Sequence, residues 1–378
     1  MPTMPLQALS LLFHAYVGWR LVPALGSPVG GAALALLLLV SALTLPLGLG
    51  ARRGGARRFG IQLAWVGLVC MGLFSSLFVL TFVRDVALLV IVALDALRPG
   101  TLALAPLVEP SAHAVVISSV LVTLWGFVNA RRTARVVRVD VPVAGLPSAL
   151  DGFTIAQISD VHVGPTIKRP YVEAIVDAVN RLEVDVVAIT GDLVDGSVKQ
   201  LARHTAPLAN LRSRHGTYVV TGNHEYYSGA NAWIEELERL GAHVLMNEHV
   251  MIDHDGAPLA LAGVTDFSAH HFDASHKSDP GLALRGAPDE AVKVLLAHQP
   301  RSAPSAEAAG YDLQLSGHTH GGQFWPWNLF VRFSQPFTAG LHRLGRMQVY
   351  ISRGTGYWGP PMRFGIPSEI TRIRLVRA

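Results

Sequence analysis

The stretch Tyr311-Asp-Leu-Gln-Leu-Ser-Gly-His-Thr-His320 is a short apolar run that ends in a glycine and two histidines. Four further runs of similar length and composition also end in residues that can hold a metal ion. These runs and their closing residues are Thr154–Ser159 with Asp160-Val161-His162, Asp185–Thr190 with Gly191-Asp192, Thr217–Thr221 with Gly222-Asn223-His224-Glu225, and Val292–Ala297 with His298. Short runs rich in Val, Ile and Leu are typical of buried strands. The five runs predict an α/β fold whose strands deliver polar side chains at one end.

The residues that close the five runs form a mixed set of oxygen and nitrogen donors. Ligands at the carboxyl ends of strands in an open α/β sheet converge on one crevice. The set is Asp160, His162, Asp192, Asn223, His298, His318 and His320, without any Cys. Such donors suit Mn, Fe or Zn. Because one tetrahedral zinc takes four ligands, the pattern predicts two ions that share a carboxylate, about 3.5–4 Å apart, as in enzymes that cleave phosphate esters.

At these residues the chain resembles the calcineurin-like metallophosphoesterase family. Its closing segment, Val349–Ile370, is similar to that of bacterial membrane-associated members. The five family blocks are D-x-H, G-D, G-N-H-[ED], an isolated His and G-H-x-H, and all are present in order between Asp151 and Ile373. The resemblance implies a four-layer sandwich in which two mixed sheets are flanked by helices. It also implies hydrolysis of a phosphoester bond with two divalent ions, of which manganese is the first expectation and iron or zinc are alternatives.

The resemblance also implies a role for each residue of the set. Asp160, His162 and His320 would hold one metal, while Asn223, His298 and His318 would hold the other. Asp192 would bridge the two ions, and a water or hydroxide between them would attack phosphorus in line. His224 would act as general acid or stabilise charge in the transition state, and Glu225 could orient it. The alternatives are a satisfied buried histidine at His298 and a degenerate member that keeps the residues without the activity.

Other polar residues are expected to lie outside this set. Asp195 is predicted to be a turn or helix-cap residue, and His270 and His271 are predicted to lie in a surface loop. Five further histidines in polar surroundings are expected to face solvent; these are His204, His215, His243, His249 and His254.

The first third of the chain is predicted to cross a membrane. Half of all residues are hydrophobic, and the mean hydropathy is +0.36. The predicted spans are Ala8–Leu25, Gly31–Gly50, Ile61–Val83 and Ala112–Ala130, each near the length that about 30 Å of hydrocarbon requires. Val86–Leu97 is too short to cross, so it is expected either to lie along the membrane surface or to extend the preceding helix.

Arginine-rich segments predict the orientation of these spans. One group comprises Arg52, Arg53, Arg57 and Arg58, and the other comprises Arg131, Arg132, Arg135 and Arg138. Four spans place both groups on the cytoplasmic side of a bacterial inner membrane, together with the catalytic region. The pair Arg57-Arg58 also allows a minority interpretation as a twin-arginine export signal.

Composition supports a three-part organisation of the chain. Residues 1–130 are the predicted transmembrane region, 131–150 a basic linker with a first strand, and 151–378 the phosphoesterase domain. The formal net charge is +4, much of it in the two arginine groups, and no nucleic-acid-binding module is recognisable. The single cysteine, Cys70, falls within a predicted span, which excludes a disulfide within the chain.

Aromatic and basic residues near the carboxyl end suggest where a substrate would bind. Phe324–Phe330 is rich in Trp and Phe, which either close the core or contact lipid. Asn223, His224, Arg353 and Arg363 are candidates for contact with substrate phosphate, although salt bridges are the alternative role of the two arginines. The favoured substrate is a phosphodiester or pyrophosphate. The family resemblance implies lipid-linked UDP-2,3-diacylglucosamine of lipid A synthesis as one candidate. Alternatives are a nucleotide or protein phosphatase, and a catalytically silent membrane sensor or scaffold that binds a phosphorylated ligand.

Overall fold

A computed structural model describes residues 6–51, 58–100 and 103–378 of the chain. The chain forms two compact units. One, here called the helical unit, comprises the residues up to Val128 together with Gly359–Phe364. The other, the sheet unit, comprises Asn129–Trp358 and Gly365–Ala378. The division predicted at 130/131 and 150/151 stays a prediction.

Among the residues that the structure describes, the helical unit contains four helices that are long and apolar enough to cross a membrane, by length and composition. They are α1 (Leu6–Leu21), α2 (Pro28–Ala51), α3 (Arg58–Leu97) and α4 (Ala105–Arg131). The segment Val86–Leu97 belongs to α3, so it extends the preceding helix rather than forming a separate element. The arginines at positions 52, 53 and 57, on which part of the predicted orientation rests, lie outside the described residues.

Small residues and paired polar groups hold the helices together. Gly48 in α2 lies against Gly67 in α3, and a Cβ atom added at Gly67 would overlap the carbonyl oxygen of Thr44. Such glycine contacts let helix backbones approach closely in membranes. The Arg20 guanidinium pairs with the Asp85 carboxylate at 2.8 Å. Pairing of this kind is how charged groups are accommodated among membrane helices.

The sheet unit is built from two six-stranded sheets. The first has the order β1-β12-β2-β3-β4-β5, and the second has the order β10-β11-β9-β8-β7-β6. The strands are β1 (Arg135–Val143), β2 (Thr154–Ile158), β3 (Val186–Ile189), β4 (Thr217–Val219), β5 (His243–Val244), β6 (Glu248–His254), β7 (Ala257–Gly263), β8 (Val292–Leu296), β9 (Leu313–Ser316), β10 (Gly340–Leu344), β11 (Met347–Ile351) and β12 (Glu369–Arg377). All five runs of the sequence analysis are confirmed as strands, and so is the first strand of the linker.

Helices cover the outer faces of the two sheets. They are α5 (Arg169–Asn180), α6 (Val198–Thr205), α7 (Asn223–Ser228), α8 (Ala230–Arg239), α9 (Pro280–Ala283) and α10 (Ala303–Ala309). Between the sheets, Ile155 and Val186 pack with Leu261 and Leu296 in one buried core. Side chains alternate across a strand, so neighbouring residues of the same strands face separate cores that include α5, α6 and α8 on one side and α9 and α10 on the other. The predicted four-layer sandwich is confirmed.

Strand direction brings the polar motifs to one edge of this sandwich. β2, β3 and β4 are parallel to one another, and so are β7, β8 and β9. Their carboxyl ends therefore point the same way within each sheet. Asp160, Asp192 and Asn223 follow strands of the first sheet, and His298 and His318 follow strands of the second.

Candidate metal centre

The structure brings the predicted ligands together in two groups of three. Asp160, His162 and His320 form one group, and Asp192, His298 and His318 form the other; within each group the candidate ligand atoms lie within 4.8 Å of one another. The six residues come from four separate loops between 160 and 320. A convergence of this kind fits the donor chemistry that two transition-metal ions require.

Backbone geometry at the centre is unusual in a consistent way. Nine non-glycine residues among those described have a positive φ. Five of them belong to the two groups: Asp160, His162, Asp192, His318 and His320, with φ between 51° and 70°. Left-handed conformations of this kind are disfavoured for residues with a Cβ atom, and they concentrate at functional sites. The fold thus holds these side chains in conformations that the chain would not adopt by itself.

Glycines allow the loops to approach each other closely. A Cβ atom at Gly222 would overlap Oδ1 of Asp192, and one at Gly317 would overlap Oδ2 of Asp160. Each carboxylate therefore occupies the space that a side chain would otherwise fill. This close approach is the physical reason for glycine in G-N-H-E and G-H-T-H.

Ring nitrogens and carboxylate oxygens face one another inside the two groups. Nε2 of His162 lies 3.0 Å from Nε2 of His320, and Nε2 of His298 lies 3.1 Å from Nδ1 of His318. Oδ2 of Asp192 is 3.2 Å from Nε2 of His298 and 3.9 Å from Nε2 of His162. The Asp192 carboxylate therefore reaches both groups, which is the position that a bridging ligand requires.

Two further properties fit bound cations. Oδ1 of Asn223 is buried, and among the described residues it has no hydrogen-bond partner; a buried amide oxygen without a partner is rare in native proteins. Burial, followed by the neighbouring His298, lowers the pKa of His318 to about 3. A neutral imidazole is the form that binds a metal. The residues present thus fit a binuclear centre.

Comparison with known proteins gives the family of the chain. The profile of the calcineurin-like phosphoesterase family matches residues 153–322. An "Uncharacterized metallophosphoesterase" of Aquifex aeolicus is 33% identical over 244 residues, which cover 64% of this chain and 91% of the relative. The chain belongs to the calcineurin-like phosphoesterase family. A "Transmembrane protein with metallophosphoesterase domain" of Danio rerio is 40% identical over 273 residues, or 70% of this chain and 62% of that protein.

The chain spans about three fifths of the length of the first transmembrane relatives that it matches. The similarity therefore establishes the phosphoesterase family and supports membrane association through the helical unit. Activity and substrate are proposals and are taken up below.

Within this phosphoesterase, Asp195 has a role that the sequence analysis missed. Its Oδ1 accepts hydrogen bonds from Nδ1 of His224 at 2.5 Å and from Nδ1 of His162 at 3.2 Å. Asp195 lies at a bend and is in neither group of candidate ligands, but its buried carboxylate also fixes the orientation of two imidazoles. The sequence shows that Asp195 lies three residues after Asp192. It does not show that the loop carrying Asp195 pairs with the loop carrying His162, as the bridge between Val163 and Val194 does.

Glu225 has a different role from the one predicted. Its carboxylate accepts hydrogen bonds from the backbone N–H groups of Asp192 at 2.9 Å, Leu193 at 2.8 Å and Gly222 at 2.7 Å. It therefore ties the G-D loop to the G-N-H-E loop rather than orienting His224. Burial, and next the charge of Asp192, raises the pKa of Glu225 to about 7.

His224 lies beside the centre and is partly accessible. Its Nε2 is 4.0 Å from Oδ2 of Asp192, and 15% of its side chain is exposed. The rings of Tyr227 and Trp358 lie edge-on to it, with centroids 5.2 and 6.0 Å away. Burial alone would lower the pKa of His224, but the carboxylates of Asp192 and Asp195 outweigh burial and raise it to about 8.

The two arginines proposed for substrate lie in different surroundings. Nη1 of Arg353 pairs with Oε2 of Glu369 at 2.7 Å, and about a third of the Arg353 side chain is exposed. Arg363 belongs to the helical unit and is fully buried, and its backbone N–H donates to the carbonyl of Gly126 at 2.9 Å. A guanidinium with no exposed surface does not reach a substrate, so this structure does not support binding by Arg363.

The aromatic stretch after His320 is largely on the surface. Trp325 and Trp327 are each 41% exposed, Phe330 is 55% exposed and Phe333 is 75% exposed. Only Phe324 of this stretch is buried against the protein. The sequence analysis left open whether these rings pack in the core or lie on the surface, and most of them lie on the surface.

Proposed function

We propose that the chain is a membrane-anchored, metal-dependent phosphohydrolase that cleaves a phosphodiester or pyrophosphate bond. The observation that carries this proposal is the position of Asp192 between two groups of metal-binding side chains. A single ion would not need two such groups. Two divalent ions, when bound there, supply an activated water and neutralise charge on the phosphate. A family relationship at 40% identity with a transmembrane metallophosphoesterase supports the same function.

The side chains of this centre would have separate roles. Asp160, His162 and His320 would bind one metal ion, Asn223, His298 and His318 would bind the other, and Asp192 would bind both. His224 lies beside the centre, and its Nε2 is placed to give a proton to the leaving oxygen. Asp195 keeps that imidazole in one orientation through its bond to Nδ1.

A direct assay tests the class of reaction. The purified full-length chain, supplied with manganese, is expected to hydrolyse bis-p-nitrophenyl phosphate, and chelation of the metal is expected to abolish turnover. The same preparation without turnover on any phosphoester, although loaded with metal, would instead support the silent sensor or scaffold. Zinc and iron in parallel reactions would identify the preferred ion.

A lipid-linked substrate is the finer proposal within this function. It rests on the exposed rings of Trp325, Trp327 and Phe330, which follow His320 within ten residues. Tryptophan favours the boundary between lipid and water. A lipid pyrophosphate of the UDP-2,3-diacylglucosamine type would place its acyl chains in the membrane and its phosphates at the centre. A nucleotide or phosphoprotein substrate is the alternative.

Replacing both Trp325 and Trp327 with Ala is expected to reduce turnover of a lipid pyrophosphate in mixed micelles by about tenfold, because contact with the lipid surface is lost. Turnover of soluble bis-p-nitrophenyl phosphate should change little, since neither residue is among the metal ligands. Initial rates on the two substrates provide the comparison. Equal losses on both substrates would argue against a lipid-facing role.

We also propose that the helical unit anchors the chain in a bacterial inner membrane and that the sheet unit lies on the cytoplasmic side. Arg131, Arg132, Arg135 and Arg138 immediately follow α4 and support this side. A carboxyl-terminal fluorescent protein that matures only in the cytosol should therefore give signal. A dark fusion with normal expression would reverse the assignment.

A further inference from the structure

A second group of metal-binding side chains lies at the opposite ends of the strands. Asp185 immediately precedes β3, His215 lies two residues before β4, and His254 is the last residue of β6. Candidate ligand atoms of the three residues lie within 4.8 Å of one another. β3 and β4 belong to the first sheet and β6 to the second, so the group joins the two layers of the sheet unit.

The surroundings orient each of the three side chains. Oδ2 of Asp185 accepts hydrogen bonds from the backbone N–H and the hydroxyl of Thr154, both at 2.8 Å. This arrangement leaves Oδ1 directed to Nδ1 of His254, 3.9 Å away. The same Nδ1 lies 3.0 Å from Nε2 of His215. The carboxylate oxygen and two ring nitrogens therefore face a common point.

The walls of the group are partly apolar and partly charged. The ring of Phe153 stacks on His215 and lies edge-on to His254, at centroid distances of 6.1 and 4.9 Å. On the far side of His254, Nε2 faces the carboxylate of Asp255 at 3.7 Å. A carboxylate near the second ring nitrogen is the usual support for a metal-binding histidine. The positive charge of Arg214 nearby is paired with Asp255 at 2.6 Å.

A hydrogen bond between the imidazoles of His215 and His254 would by itself explain the 3.0 Å distance between their ring nitrogens. It would not account for the carboxylate of Asp185, which is held by Thr154 with its second oxygen toward the same place. His254 is buried, with 7% of its surface exposed, and His215 and Asp185 are half-buried.

We propose that Asp185, His215 and His254 bind one divalent transition-metal ion, with zinc as the best match, and that this ion links the two sheets. Two imidazole nitrogens and one carboxylate oxygen are common zinc donors, and bond lengths of about 2.0–2.2 Å place tetrahedral ligands roughly 3.3–3.5 Å apart. The separations of 3.0 and 3.9 Å lie on either side of that spacing. Water completes the coordination, and the site is structural because it lies at the strand ends remote from the phosphoesterase centre.

Metal content and thermal stability of the purified full-length chain test this proposal. After zinc loading and removal of free metal, His254→Gln should hold one zinc ion fewer per chain than the unchanged protein. The glutamine amide can still hydrogen-bond to His215 but is a poor zinc ligand. The zinc-dependent rise in Tm should shrink in this variant, while turnover of bis-p-nitrophenyl phosphate should be retained. His270→Ala, which removes an exposed histidine elsewhere, is the matched control and should keep full zinc content.

A second variant separates the proposal from a folding defect. Asp185→Asn keeps an oxygen for Thr154 but loses the charge that a cation needs, so it should also lose one zinc ion. Asp192→Asn should lose metal from the phosphoesterase centre and keep this ion. Circular dichroism identifies the variants that are folded. Full zinc content and an unchanged Tm response in a folded His254→Gln or Asp185→Asn protein would overturn the proposal.

Discussion

Asp192→Asn is expected to release metal from both halves of the phosphoesterase centre and to reduce turnover by roughly 10³-fold or more. Several kcal/mol of transition-state stabilisation depend on the ions, and each 1.4 kcal/mol changes the rate about tenfold. The substitution is structurally mild. Oδ1 of Asp192 accepts the backbone N–H of His224 at 2.9 Å, and an asparagine oxygen can replace it there. Oδ2, which lies near both His298 and His162, becomes an amide nitrogen that cannot bind a metal.

Elemental analysis and initial rates measure the two effects in the same preparation. Asp160→Asn is the informative comparison, because Asp160 groups with His162 and His320 only. It should weaken one ion more than the other, whereas Asp192→Asn should weaken both. Selective loss of a single ion in Asp192→Asn would remove the bridging role.

His224→Ala is expected to leave the metal content unchanged and to lower turnover by about 10²–10⁴-fold, the usual contribution of a general acid. Its imidazole lies within reach of Asp192, and geometry alone also groups it with His162 and Asp192 as a possible third set of ligands. The assignment of His224 to substrate rather than metal therefore depends on this measurement. A metal-depleted His224→Ala protein would make His224 a ligand.

Asp195→Asn distinguishes positioning from direct chemistry. The asparagine oxygen can still accept from one imidazole, but the charge that holds His224 and His162 is lost. Supporting residues of this kind typically contribute about 10–100-fold, so the loss should be smaller than that of His224→Ala and should fall mainly on kcat. When His224 is already alanine, a second change at Asp195 should have little further effect on the proton-transfer step.

Six of the twelve strands, the five runs and the strand of the linker, were predictable because their signal is local. Each run of Val, Ile and Leu identifies its strand, and in three of the five a glycine (Gly191, Gly222 or Gly317) marks the turn to a ligand. The four-layer architecture followed from the family resemblance rather than from any single run. Long apolar stretches likewise predicted the four helices described in the helical unit. For Val86–Leu97 the sequence allowed either a segment on the membrane surface or an extension of the preceding helix, and the structure has the extension.

Residues that act through the three-dimensional arrangement were harder to predict. Asp195 and Glu225 are ordinary polar residues in the sequence. Apart from Gly222, the backbone groups and imidazoles that give them their roles lie more than 25 positions away. His254 was expected to face solvent because its neighbours along the chain are polar. It is buried instead, because β6 ends against residues that precede β3 and β4. Contacts between strands that are distant in the sequence cannot be predicted from the residues next to one histidine.

The segment Gly359–Phe364 lies beyond all five metal motifs in the chain yet belongs to the helical unit, where Met362 packs against Gly72 and Gly126. No single cleavage point therefore yields two intact modules. A fragment that begins after α4 keeps Met362 but lacks the helices that Met362 packs against. The apolar surface exposed in this way makes such a fragment prone to self-association. Preparations meant to report native behaviour consequently require the entire polypeptide in detergent or bilayer.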